Sequence, residues 1–149
     1  MKFKTPQSLR AEHKELHAEL AKATNTKGKI GEAAKTVAEV LHPHFVKEEE
    51  YAMPPLGLLS IIARGKTSVE MREVLMMTDR LKAELKQMLK EHKAIVGALK
   101  KLAAIAKKEK KMEYARFTEK LMLHAKTEEE VLYPASILVG EYLKLKLKK

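Results

Sequence analysis

The strongest constraint on this chain is a helical hairpin written twice. Aligning SLRAEHKELHAELAK with QMLKEHKAIVGALKK pairs Glu12 with Glu91, His13 with His92, Lys14 with Lys93, Leu16 with Ile95 and Leu20 with Leu99 at an offset of 79. Aligning HFVKEEEYAMPPL with HAKTEEEVLYPAS pairs His44 with His124, Glu48 with Glu128 and Pro54 with Pro134 at an offset of 80, so one loop residue separates the registers. A single His-x-x-x-Glu says little in a glutamate-rich chain. Its recurrence, each time with a histidine about 31 residues upstream, is specific. The copies cover about 5–55 and 84–135, and a length of 149 suits one domain over 1–149.

Gly and Pro are rare elsewhere and apolar residues recur every three to four positions, an all-α pattern. A first helix is expected after Thr5 and Pro6, with Thr5 as its cap, Pro6 at its first position and Leu9, His13, Leu16 and Leu20 on one face. It ends at the TNTKGK loop. The second starts near Ile30, carries Val37, Val40 or Leu41, His44 and Glu48, and stops at Pro54 and Pro55. LGLLSIIARG reads as a short apolar helix over one end of the bundle. TSVE, Thr67 to Glu70, reads as a capping box that opens a long third helix, bent or broken before its stripe of Met88, His92, Ile95, Leu99 and Leu102. The fourth begins near Lys111, carries Phe117, Leu121, His124, Glu128 and Leu132, and stops or kinks at Pro134; a basic C-terminal helix follows over 135–149. Four long helices with short loops make an up-down-up-down four-helix bundle.

Composition removes several function classes. Without Cys there are no disulfides and no thiolate metal sites, which sets the expectation of a reducing cytoplasm. No run of 18 apolar residues is available to span a bilayer, and MKFKTPQSLRAEH lacks the apolar core of a signal peptide. The net charge of +10 comes from lysines interleaved with glutamates, the pattern of solvated helix faces, so no nucleic-acid partner is expected.

Residues four apart share a helical face, so His44 with Glu48 and His124 with Glu128 each aim an imidazole and a carboxylate at one point. His13 and His92 reach the same level from the other two helices. Two buried carboxylates without a cation would cost several kcal/mol each or be forced to protonate, so the stripe is poor design for a plain core. Nitrogen and oxygen donors suit iron, manganese, zinc or copper, and two bridging carboxylates suit a metal pair roughly 3.5–4 Å apart. Two six-coordinate metals have about twelve ligand positions, of which four histidines, two bridging glutamates and an oxo or hydroxo bridge fill about ten. His17, one turn after His13, is a candidate additional ligand although its repeat position is Val96. Glu49, Glu129 and His42 are candidates to support the ligands without binding metal. His42 and Pro43 align with Met122 and Leu123, outside the repeated pattern. Pro43 removes a helical bond to Glu39, which predicts a kink or widened turn before His44 that the second copy lacks.

These residues, His13, His44-x-x-x-Glu48, His92 and His124-x-x-x-Glu128, resemble those of the hemerythrin-like, or HHE cation-binding, domains, and HPHFVKEEE and EEEVLYP are similar to phrases of bacterial and archaeal members. The resemblance spans nearly the whole chain. It implies a non-haem di-iron centre with four terminal histidines and Glu48 and Glu128 as bridges, two irons joined by oxo or hydroxo, with zinc or manganese as substitutes. The dioxygen-carrying members place two histidines on the third core helix and an aspartate five residues after the last histidine. Here His92 takes the first of the two histidine places, Val96 stands at the second, the spare histidine is His17 on the first helix, and the glutamates fall at four and five, Glu128 and Glu129. Carriage therefore does not transfer. The reading is a di-iron protein that binds or senses dioxygen, nitric oxide or a related small ligand at an open position. Its competitors are a di-iron enzyme for peroxide or nitric oxide removal or iron-centre repair, and a metal-free basic helical module that binds nucleic acid or membrane.

Overall fold

The computed structural model describes residues 3–148. Six α-helices form among them: α1 (Gln7–Thr24), α2 (Lys29–Lys47), α3 (Leu59–Ala63), α4 (Leu75–Lys108), α5 (Met112–Thr127) and α6 (Tyr133–Lys146), with no strand among the described residues. Helices α1 and α2 form one hairpin and α4 and α5 the other. Contacts α1 to α2, α2 to α4, α4 to α5 and α5 to α1 close them into a four-helix bundle. The first hairpin turns tightly at Gly31, where a Cβ would lie 1.8 Å from the Thr26 carbonyl oxygen.

The expected apolar stripes are buried and divide into layers. Leu16, Leu20, Val37, Leu41, Phe45, Ile95, Leu99, Leu102, Phe117 and Leu121 fill one core. Tyr51, Met53, Leu81, Met88 and Tyr133 fill a second. His13, His44, His92 and His124 lie on their helices between the two, a polar layer enclosed by apolar ones. Helix α6 lies on α4 and buries Val139 and Leu143 beside Leu58, Met71 and Val74. No helix among the described residues is long and apolar enough to cross a membrane.

Several boundaries differ from expectation for local reasons. Pro6 is the N-cap of α1, not its first helical residue, and its carbonyl accepts from Leu9 and Arg10 N–H at 3.1 and 3.0 Å; no side chain caps this end. The TSVE segment leads into a 3₁₀ turn, Val69–Val74, after Ser68, whose side chain makes no cap bond. The break expected within the third helix lies in this turn, and α4 then runs unbroken for 34 residues. Helix α3 buries none of its residues completely; the 3₁₀ turn before it, Pro54–Leu58, supplies the buried Pro54, Pro55, Leu56 and Leu58.

The widened turn predicted at Pro43 is also placed differently. Helix α2 continues through Pro43, and a π-turn follows it at Glu48–Ala52, closed by Met53 N–H donating to the Glu48 carbonyl at 2.9 Å. An equivalent π-turn, Glu128–Leu132, follows α5, where Leu123 stands in place of Pro43, and helix continues directly into α6 with Pro134, the repeat partner of Pro54, in its first turn. Both copies therefore widen at the glutamate. In an α-helix residue i+5 lies roughly 140° around the axis from residue i. Closing the bond on i+5 brings Met53 and Tyr133 onto the faces of Glu48 and Glu128.

Candidate metal centre

The buried polar layer brings together His13, His44, Glu48, His92, His124 and Glu128, none more than 5 % exposed. Their donor atoms form two groups that share Glu128: His44, Glu48, His92 and Glu128, and His13, His124 and Glu128, each with all its ligand atoms within 4.8 Å. Glu128 presents Oε1 to His92 Nε2 at 3.1 Å and Oε2 to His124 Nε2 at 3.0 Å. Glu48 presents Oε2 to His44 Nε2 at 3.4 Å and Oε1 to His13 Nε2 at 4.0 Å. Each carboxylate thus directs one oxygen to each half of the site.

Tyr133, absent from the sequence-derived set, enters the first half. Its hydroxyl donates to Glu48 Oε2 at 2.6 Å and lies 3.0 Å from both His44 Nε2 and His92 Nε2. Two donors at right angles on a metal, each about 2.1 Å away, are separated by about 3 Å. The His13 Nε2 to His124 Nε2 separation is 3.0 Å, so these spacings match the edges of coordination polyhedra.

Glutamates lie against the outer nitrogens of three of the four histidines and hydrogen-bond two of them. His44 Nδ1–H donates to Glu91 Oε1 at 2.8 Å and His92 Nδ1–H to Glu129 Oε1 at 3.1 Å, while His124 Nδ1 contacts Glu12 Oε1. A proton held on Nδ1 leaves the Nε2 lone pair facing inward. The pairs Glu12-His13 and Glu91-His92 are repeat equivalents, and each glutamate braces a histidine on an adjacent helix while its neighbour points into the site. The alignment of Glu12 with Glu91 was the available sequence signal for this pairing.

Electrostatics give the site a strong demand for positive charge. Burial, then the charge and hydrogen bond of Glu128, pushes the Glu48 carboxyl up to about 7. Burial alone would also raise Glu128, but hydrogen bonds from Glu48, His124, His13 and His92 outweigh it and hold Glu128 well below the usual carboxylate range. Burial and the two carboxylates raise the Tyr133 phenol. With the Nδ1 protons of His44 and His92 held by glutamates, their Nε2 lone pairs face carboxylate oxygens, Glu48 Oε1 is buried with no hydrogen-bond partner, and the single phenol hydrogen cannot serve Glu48 and two imidazole lone pairs at once. These unsatisfied acceptors fit a cation.

The other candidates lie around this set. His17 is half-buried against Phe45, with ring centroids 4.4 Å apart, and belongs to neither donor group. His42 is exposed and shares a groove between α1 and α2 with His17. Glu49 lines a cavity beside His13 and His17, while Glu129 bonds His92.

The family model for the hemerythrin HHE cation-binding domain matches residues 6–136. The chain belongs to this family. The match includes every donor of the site, and the HHE family's cation binding agrees with the buried acceptors found here. Searches of curated proteins and of solved structures gave no significant match.

Proposed function

We propose that this HHE domain holds two iron ions and binds a small molecule such as dioxygen or nitric oxide at a position its own side chains leave open. His44 and His92 would serve one metal, His13 and His124 the other, Glu48 and Glu128 would bridge them, and Tyr133 would add a phenol oxygen on the His44 side. The observation that carries the reading is the orientation of the two glutamates, each offering one oxygen to each histidine pair. Bound iron would supply Lewis acidity and one-electron redox chemistry. The chain's own residues orient the donors through Glu12, Glu91 and Glu129 and exclude water by burial between two apolar layers. With Tyr133 counted, one ligand position of about twelve stays open beyond the bridge.

The test is anaerobic iron reconstitution followed by an optical spectrum before and after dioxygen. A reversible change in the near-ultraviolet and visible bands supports binding. Two bound irons with no response to dioxygen or nitric oxide would refute the small-ligand reading. Turnover of peroxide or nitric oxide above that of a His44→Ala variant would favour an enzyme instead.

A further inference from the structure

Helix α6 is apolar on both of its faces. Tyr133, Ser136, Val139, Gly140 and Leu143 turn inward and are buried. On the opposite face Leu138 and Leu145 are 64 and 77 % exposed, with the half-buried Tyr142 between them. Val131, 55 % exposed, stands seven residues before Leu138 in the π-turn that runs directly into α6. Positions 131, 138 and 145 thus repeat every seven residues, and 138, 142 and 145 step by four and three, the spacing of a seam between two paired helices. A contiguous apolar stripe of this kind gains free energy when a partner covers it.

The charges beside the stripe indicate what covers it. In the middle they are neutralised within the chain: Lys82 donates to Glu141 at 2.5 Å and Lys144 to Asp79 at 2.6 Å. At the C-terminal end Lys146 and Lys148 have no carboxylate partner among the described residues. At the other end Glu130 meets Lys126 at 3.8 Å, beyond hydrogen-bond distance, with both side chains 62 % exposed. The face is therefore positive at one end and negative at the other. An anionic membrane would favour cations along its whole length, whereas a second copy lying antiparallel complements both ends.

We infer that the outer face of α6 pairs with the same face of a second chain, antiparallel about a two-fold axis at Leu138. This register sets Leu138 on the partner's Leu138, Leu145 on the partner's Val131 and Lys146 on the partner's Glu130. An axis midway between Leu138 and Leu145 would also stack leucines, but it sets Lys146 opposite the partner's Ile137 and Lys148 opposite the partner's Ala135. Parallel pairing would set Lys146 against the partner's Lys146. Charge thus selects the first register. One helix pair makes a small interface, so the dimer dissociates on dilution.

The test uses the full chain, whose lack of cysteine lets single introduced cysteines report the register. In sedimentation, wild type should approach twice the mass of one chain as concentration rises, and Leu138→Glu should stay monomeric with an unchanged circular dichroism spectrum, since Leu138 is exposed within one chain. Under mild oxidation, Leu138→Cys should form a disulfide-linked dimer about tenfold faster than Leu145→Cys, whose two sulfurs would stand about 21 Å apart along the seam. Met112→Cys, exposed at the start of α5, gives the rate of chance collision. A mixture of Leu145→Cys with Val131→Cys should cross-link as readily as Leu138→Cys. A wild type that is monomeric at every concentration, or equal cross-linking of Leu138→Cys, Leu145→Cys and Met112→Cys, would overturn the pairing. So would a monomer that binds phosphatidylserine vesicles and loses this binding in Leu138→Glu, which would assign the face to a membrane.

Discussion

Glu91 offers the clearest quantitative test of how the side chains support this centre. Burial alone would raise its carboxyl, but hydrogen bonds from Lys47 at 2.6 Å, His44 at 2.8 Å and Gln87 at 3.1 Å outweigh that and hold it at about 2. The group is therefore an anion throughout the neutral range, and it keeps the His44 proton on Nδ1 with Nε2 directed inward. Glu91→Ala frees the ring and removes the carboxylate that makes Nε2 more basic. Loss of such a partner lowers metal affinity roughly 10–100-fold, about 1.4–2.7 kcal/mol. Glu84→Ala is the control, because Glu84 meets the same Lys47 at 3.8 Å but is not a hydrogen-bond partner of His44. Competition against a chromophoric chelator reads both affinities. The reasoning fails if Glu91→Ala binds as tightly as wild type, or if Glu84→Ala weakens binding equally, since the effect would then belong to the lysine.

Three further outcomes follow from the geometry. Tyr133→Phe removes the hydrogen bond to Glu48; the metal-free protein should lose roughly 1–3 kcal/mol in chemical denaturation, and the ferric protein should lose a phenolate charge-transfer band, whereas an unchanged spectrum would exclude Tyr133 as a ligand. Without metal, Glu48 keeps its proton up to about 7; burial alone would lower His124, but hydrogen bonding and charge from Glu128 outweigh it and raise it to about 9. The folded state then binds more protons than the unfolded chain across this window, so stability should fall as pH rises from 6 to 9, and a metal-free Tm that is flat or rising over that range would contradict the assignment. Gly97→Ala, where a Cβ meets nothing within 4 Å, should stabilise α4 by about 1 kcal/mol. Gly140→Ala, whose Cβ would lie 2.1 Å from Thr78 Oγ1, should destabilise by roughly 1–3 kcal/mol, and thermal melts separate the two.

The parts of this molecule legible in the sequence are those governed by helical periodicity. His44 with Glu48, His124 with Glu128 and the stripes around His13 and His92 follow from spacings of three and four, which is why the all-α bundle could be read before any coordinates. Tyr133 was not legible, because it stands five residues after Glu128, where an α-helix would turn it away. The π-turn that returns it to the glutamate face is a change in backbone hydrogen bonding with no residue signature that distinguishes Glu128–Leu132 from ordinary helix. Pro43 drew the prediction of a widened turn, yet the same turn forms in the second copy, where Leu123 stands in its place. Glu12 and Glu91 were aligned but given no role, since each braces a histidine on a different helix and cross-helix pairs leave no periodic trace.

The central claim is that one duplicated donor set holds two cations between Glu48 and Glu128. Elemental analysis of protein loaded anaerobically with ferrous iron and freed of excess metal, beside a Glu128→Ala variant, tests it most directly. The account predicts two irons per chain in wild type and loss of at least one in Glu128→Ala, which takes the shared oxygen pair from both halves. One iron or none in wild type, or two in the variant held as tightly as in wild type, would contradict it.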